Sequence, residues 1–239
     1  MKRLYHKNPL AFSLIWIGVY VVGFSLADGI SQSLGTEKLV TLPFALLATG
    51  ILVVFLLRNS LSAPLGLCRC KLTARQSFCY LPLVLMASVN LWGGVKFNLS
   101  PAETVLSILT MMLVGFLEEL IFRGFLFTAL RKDNLKVAVI VSSVTFGVGH
   151  IVNLLSGAPV GETLLQIIYA TAAGFLFTVI FLRGGSLWPC ILAHSAINSL
   201  SVISGPQSHG LQITTAAVLT VVSLLYGLWI LQQTKTDPA

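Results

Sequence analysis

The sequence predicts an all-α fold, a polytopic membrane helical bundle of about eight transmembrane helices that forms one integral-membrane domain over residues 1–239. Three observations predict it. The chain is 56% hydrophobic and only 10% charged, far below the ~25% charged residues usual in a soluble domain. Its apolar excess is spread along the whole length in eight stretches, each near the ~20 residues that cross a ~30 Å hydrocarbon layer. Its basic residues gather in alternate intervening loops, the pattern expected of a multi-pass protein.

The apolar stretches run approximately over 10–27, 39–57, 78–95, 104–126, 137–155, 163–182, 186–203 and 211–231, bounded by charges or by Gly, Pro, Asn and Ser clusters. The first follows Met1-Lys2-Arg3 in the manner of a secretory signal. It is long, no clear small-residue cleavage site follows it, and seven more runs succeed it, so it reads as a span. With an even number of spans both termini share a side, and Lys2, Arg3 and Lys7 predict that side to be cytoplasmic in a cell-membrane protein. The remaining loops agree. Arg58, Arg69, Lys71 and Arg75 fall in the second, Arg131, Lys132 and Lys136 in the fourth, Arg183 in the sixth and Lys235 at the tail, leaving Lys38 and Lys96 outside.

The formal charge of +7 is scattered between apolar runs and does not form one stripe, which argues against nucleic acid as a partner and for the lipid bilayer. Cys68, Cys70, Cys79 and Cys190 are too few and too uneven for a disulfide framework. Cys68 and Cys70 form a C-x-C without a second Cys/His pair, so reduced thiols are preferred to a metal site. Small residues in Ala172-Ala173-Gly174 and Gly147-x-Gly149 read as places where helices approach closely.

Six of the eight acidic residues, Asp28, Glu37, Glu103, Asp133, Glu162 and Asp237, fall in loops or at helix ends. Glu118 and Glu119 lie inside the fourth run, where an ionised carboxylate costs roughly 2.5–3.5 kcal/mol on insertion scales. Arg123 follows Glu119 by four residues and shares its helix face. His150 sits in the fifth run, one turn after Phe146, and His194 sits in the seventh, with Asn198 one turn further on. A single intramembrane histidine or amide is commonly an interhelical hydrogen-bonding group. Two carboxylates, an arginine, two imidazoles and an amide on three spans exceed what packing requires, and predict one convergent polar site. Counting inward at ~1.5 Å per residue puts Glu118, His150 and His194 roughly 10–20 Å from the cytoplasmic boundary. That depth predicts a site open toward the cytoplasm.

Together, Glu118-Glu119-x-x-x-Arg123, Phe146-x-x-x-His150 and His194-x-x-x-Asn198 resemble the ordered EExxxR, FxxxH and HxxxN/D motifs of the CPBP family, the CAAX proteases and bacteriocin-processing proteins. The resemblance covers a core of about residues 100–205, while the first three spans and the last match only as apolar helices. It implies an intramembrane endopeptidase acting on a membrane-associated peptide or protein. Glu118 and His150 would activate a water, His194 and Asn198 would stabilise the oxyanion, and Glu119 and Arg123 would support them. No cofactor is favoured. The family has also been described as metalloproteases, and Glu118, His150 and His194 match the ligand number of a catalytic zinc, although the sequence has no HExxH motif.

Two other functional classes are open to the sequence. A proton- or cation-coupled transporter would pass charge along Glu118, Glu119, His150 and His194, but needs polar access from both faces, and the outer halves of the fourth and fifth runs look apolar. A non-catalytic membrane adaptor would use the Gly/Ala faces to bind other membrane proteins.

Overall fold

The computed structural model describes residues 1–73 and 75–236; Asp237 lies outside the described residues, as does the side chain of Lys235. The architecture is all-helical. Among the described residues the extended pairing is a single antiparallel bridge between Val95 and Ser204.

A short α1, Lys2–Lys7, leads into α2, Pro9–Ser33, whose start is fixed by Asn8 accepting the Ala11 N–H and by Pro9 in the first turn. Helix α3, Thr41–Arg58, returns. Helix α4, Leu81–Ser88, is flanked by 3₁₀ turns at Gln76–Tyr80 and Val89–Leu91. Helix α5, Pro101–Glu119, begins in a capping box between Ser100 and Glu103 and continues as a π-helical segment, Leu120–Phe127, into α6, Thr128–Leu130. Helix α7, Leu135–Val148, capped by Asn134, passes into a 3₁₀ segment, Gly149–Ser156. Helices α8, Val160–Gly184, α9, Trp188–Ser201, and α10, His209–Thr236, complete the bundle.

Among the described residues six helical stretches are long and apolar enough to cross a membrane: Pro9–Ser33, Thr41–Arg58, Pro101–Leu130, Leu135–Ser156, Val160–Gly184 and His209–Gln233. Large apolar side chains such as Val22, Leu47, Val84, Leu192 and Leu225 remain exposed on their outer faces, as lipid-facing positions should. The chain is a multi-pass membrane protein, and six of the eight expected spans form full-length helices among the described residues. The runs at 78–95 and 186–203 form shorter helices. Helix α9 has 14 residues, which rise about 21 Å. Both nevertheless run between the two ends of the bundle. Cys70 meets Tyr80 Oη at 2.8 Å at one end, while Ser204 Oγ donates to the Asn90 carbonyl at 2.8 Å at the other.

Helix α9 runs antiparallel to α5: Ser195 Oγ donates to the Met112 carbonyl at 2.9 Å. A Cβ on Gly115 would lie 2.6 Å from the Ser195 nitrogen, so glycine is what lets these backbones touch. Gly147 plays the same part between α7 and α8, where a Cβ would lie 2.7 Å from Thr171 N and 2.8 Å from Ile167 O. Gly149, expected to serve packing too, has open space beside it and lines a cavity instead.

The end of the bundle carrying α1 is filled with aromatic rings. Phe12 lies 5.2 Å from Phe55 and 5.1 Å from Phe125, and Tyr5 closes over it at 5.4 Å. The loops at 34–40, 92–100, 157–159 and 202–208 form the opposite end; there Glu103 Oε1 accepts the Glu37 N–H at 3.1 Å. Among the cysteines, Cys68 and Cys70 are free thiols that bond Gly185 O and Tyr80 Oη, while Cys79 and Cys190 are free and buried.

Candidate active site

The last turn of α5 presents two adjacent carboxylates in different directions. Glu119 is fully buried, and its Oε1 accepts from Arg123 Nη1 at 3.0 Å, the ion pair expected from the four-residue spacing. Arg123 is also fully buried; its Nη2 donates to the Gly174 carbonyl at 3.1 Å, and its guanidinium stacks 4.2 Å over the Phe146 ring. Glycine at 174 leaves room for that reach, since a Cβ there would lie 3.0 Å from Arg123 Nη2.

Arg123 lies in the π-helical segment, every residue of which is buried. A π turn breaks the usual i→i−4 ladder and leaves carbonyls to be satisfied elsewhere. Ser142 of α7 donates to Phe122 O at 3.0 Å and Thr128 to Arg123 O at 3.2 Å.

His194 of α9 joins the two acids. Its Nδ1 is 2.9 Å from Glu119 Oε1 and its Nε2 is 3.2 Å from Glu118 Oε2. Phe146 packs against it edge-on at 5.5 Å. The other oxygen of Glu118 accepts from Tyr20 Oη of α2 at 2.6 Å. Tyr20 was not foreseen. A single tyrosine in an apolar first span is indistinguishable from an interfacial aromatic anchor, so the sequence carried no usable signal for it.

Glu118 faces a cavity of about 290 Å³ whose lining also includes Tyr20, Phe146, His150 and Asn198. A second, of about 150 Å³, is lined by His194, His150, Asn198 and Phe177. His150 and Asn198 thus belong to both. His150 sits in the 3₁₀ segment, with Nδ1 3.2 Å from the Phe146 carbonyl and its ring edge-on to Phe146 at 5.5 Å. All six residues expected at the site, Glu118, Glu119, Arg123, His150, His194 and Asn198, therefore surround one region. They divide into a buried ionic group and a cavity-facing group.

The expected opening toward the end that bears the termini is not found. The larger cavity extends from Glu118 past Asn153 to Asp28, Lys38 and Ser156, at the opposite end. The cluster of Tyr5, Phe12, Phe55 and Phe125 occupies the terminus end. The outer halves of the fourth and fifth runs are also less apolar than expected, for Thr110 and Asn153 line the cavity there. Asp28 lies in the last third of α2 and accepts from Lys38 Nζ at 2.8 Å and Thr41 Oγ1 at 2.6 Å.

Both ring nitrogens of His194 lie within hydrogen-bonding distance of carboxylates, Nδ1 beside Glu119 and Nε2 beside Glu118.

Residues 100–200 match the model of the family described as type II CAAX prenyl endopeptidase Rce1-like. That segment is similar to the Rce1-like CAAX protease family. It carries all three motifs and accounts for less than half of the chain. Neither the curated proteins nor the solved structures give a match. The family that this segment resembles consists of peptide hydrolases. Tyr20, on α2, lies outside the matched segment.

Proposed function

We propose that the chain is an intramembrane endopeptidase that hydrolyses a peptide bond in a membrane-associated peptide or protein without a metal. The observation that carries this reading is the setting of Glu118, a carboxylate held by Tyr20 and His194 on one side and turned toward a cavity shared with His150 and Asn198 on the other. Two hydrogen-bonding partners fix its direction, which a general base needs before its basicity matters.

Glu118, with His150 across the cavity, takes a proton from a water whose oxygen adds to the scissile carbonyl carbon. The carbonyl π electrons move to oxygen, and that oxyanion is met by the Asn198 amide and by the His194 N–H, which turns from Glu118 as the carboxylate becomes protonated. Glu118 then returns the proton to the departing amine as the C–N bond breaks. Glu119 and Arg123 anchor His194 from behind. Fixed donors in a site with little water stabilise such charge strongly.

The aromatic filling at one end of the bundle favours this reading over a through-membrane relay, which needs polar access at both ends. Comparative peptide profiling of membranes containing the wild-type protein or Glu118→Ala tests it. Peptides present only with the wild type, sharing a cleavage sequence, are expected; identical profiles would reject it.

A further inference from the structure

We infer that the cavity opens at the extracytoplasmic face, so that its substrates are peptide segments exposed on that side and not tails at the cytoplasmic surface. The inference rests on the peptidase reading for the word substrate, and on geometry and charge for the side.

The cavity lining is continuous from Glu118 to Asp28, Lys38 and Ser156, and Ser156 is exposed. In the opposite direction the path is blocked by buried Phe12, Phe55 and Phe125, and by the wholly buried π-helical segment. Access is therefore from the end formed by loops 34–40 and 157–159.

Charge distribution says which side of the membrane that end occupies. Eleven of the fifteen basic residues lie at the blocked end, in α1, in the stretches after α3 and α6, and at Arg183. The open end carries two, Lys38 and Lys96, together with the acidic Asp28, Glu37, Glu103 and Glu162. Basic residues flanking spans are retained in the cytoplasm, which puts the blocked end inside and the mouth outside.

The mouth also lacks what a free C-terminal carboxylate would need. Lys38 is the cation of the cavity lining among the described residues, and Asp28 already holds it at 2.8 Å. A prenylated C-terminal tail is a cytoplasmic lipidation product ending in such a carboxylate. The mouth suits instead an internal stretch of a translocated peptide or the outer flank of a membrane segment.

The test is labelling with a membrane-impermeant sulfonated maleimide in right-side-out and inverted vesicles. Ser156→Cys, in a background with Cys68→Ser and Cys70→Ser, should be labelled in right-side-out vesicles, whereas native Cys68 and Cys70 should be labelled only in inverted ones. Labelling of Ser156→Cys only in inverted vesicles, or equally in both, would overturn the inference. In parallel, peptide pools applied outside each vesicle type are compared between wild type and Glu118→Ala. Glu118-dependent cleavage confined to right-side-out vesicles supports the inference, and confined to inverted vesicles overturns it. External labelling without Glu118-dependent cleavage in either would uphold the orientation and reject the peptidase reading.

Discussion

The hydroxyl of Tyr20 donates a 2.6 Å hydrogen bond to Glu118, joining residues 98 positions apart. The first long helix is therefore part of the site, although the family motifs are confined to later helices. A hydrogen bond to a charged acceptor contributes about 1.5–3 kcal/mol. Tyr20→Phe is expected to lower kcat about 10- to 100-fold while leaving KM nearly unchanged, because the bond orients the base and does not hold substrate. Steady-state kinetics on reconstituted protein checks this, and an unaltered kcat would remove Tyr20 from the mechanism.

The buried pair of Glu119 and Arg123 makes a second prediction. Removing one partner of a buried ion pair leaves an uncompensated charge and costs about 3–5 kcal/mol. Arg123→Met is expected to destabilise the protein by that amount, read from thermal unfolding in lipid or detergent. Adding Glu119→Gln to it should recover part of the loss, since the orphaned charge disappears. Additive losses would show that the two side chains act independently.

Gly115 sets the distance between α5 and α9, and so the distance from His194 to both carboxylates. Its Cβ would meet backbone, the Ser195 nitrogen at 2.6 Å. Gly115→Val should force the helices apart, and a misplacement of about 1 Å is enough to lower turnover on the order of 100-fold. Kinetics beside an abundance measurement separates this from failure to fold: a folded, fully active Gly115→Val protein would contradict the packing account.

Metal dependence is addressed by the engagement of both His194 nitrogens with acids. Purified active protein is expected to keep its activity through chelator treatment and dialysis, with substoichiometric zinc by elemental analysis. Stoichiometric zinc lost together with activity would replace the glutamate mechanism by a metal one.

Much of the site was legible in the sequence because burying charge in lipid is costly. Glu118, Glu119, Arg123, His150, His194 and Asn198 stand out against apolar runs, and the four-residue spacing of Glu119 and Arg123 does become an ion pair. What stayed hidden depends on three-dimensional packing. Tyr20 is chemically unremarkable until its partner is known. The end toward which the cavity runs depends on packing, because depth counted along helices says nothing about which end is filled, and here Phe12, Phe55 and Phe125 fill the end that carries α1. Of the eight expected spans, the runs at 78–95 and 186–203 are the ones that do not form full-length helices, the first breaking into 3₁₀ and α segments and the second shortening to α9, since hydropathy alone does not register helix breaks.

The most direct test of the account is hydrolysis of a defined peptide by purified protein in proteoliposomes, wild type against Glu118→Gln. The amide keeps the shape of the side chain and one acceptor oxygen but cannot act as the base, so kcat should fall about 100- to 10,000-fold while the protein still folds and inserts. A Glu118→Gln protein that cleaves the same peptide within about twofold of the wild-type rate would contradict the account, for a general base should contribute far more than that.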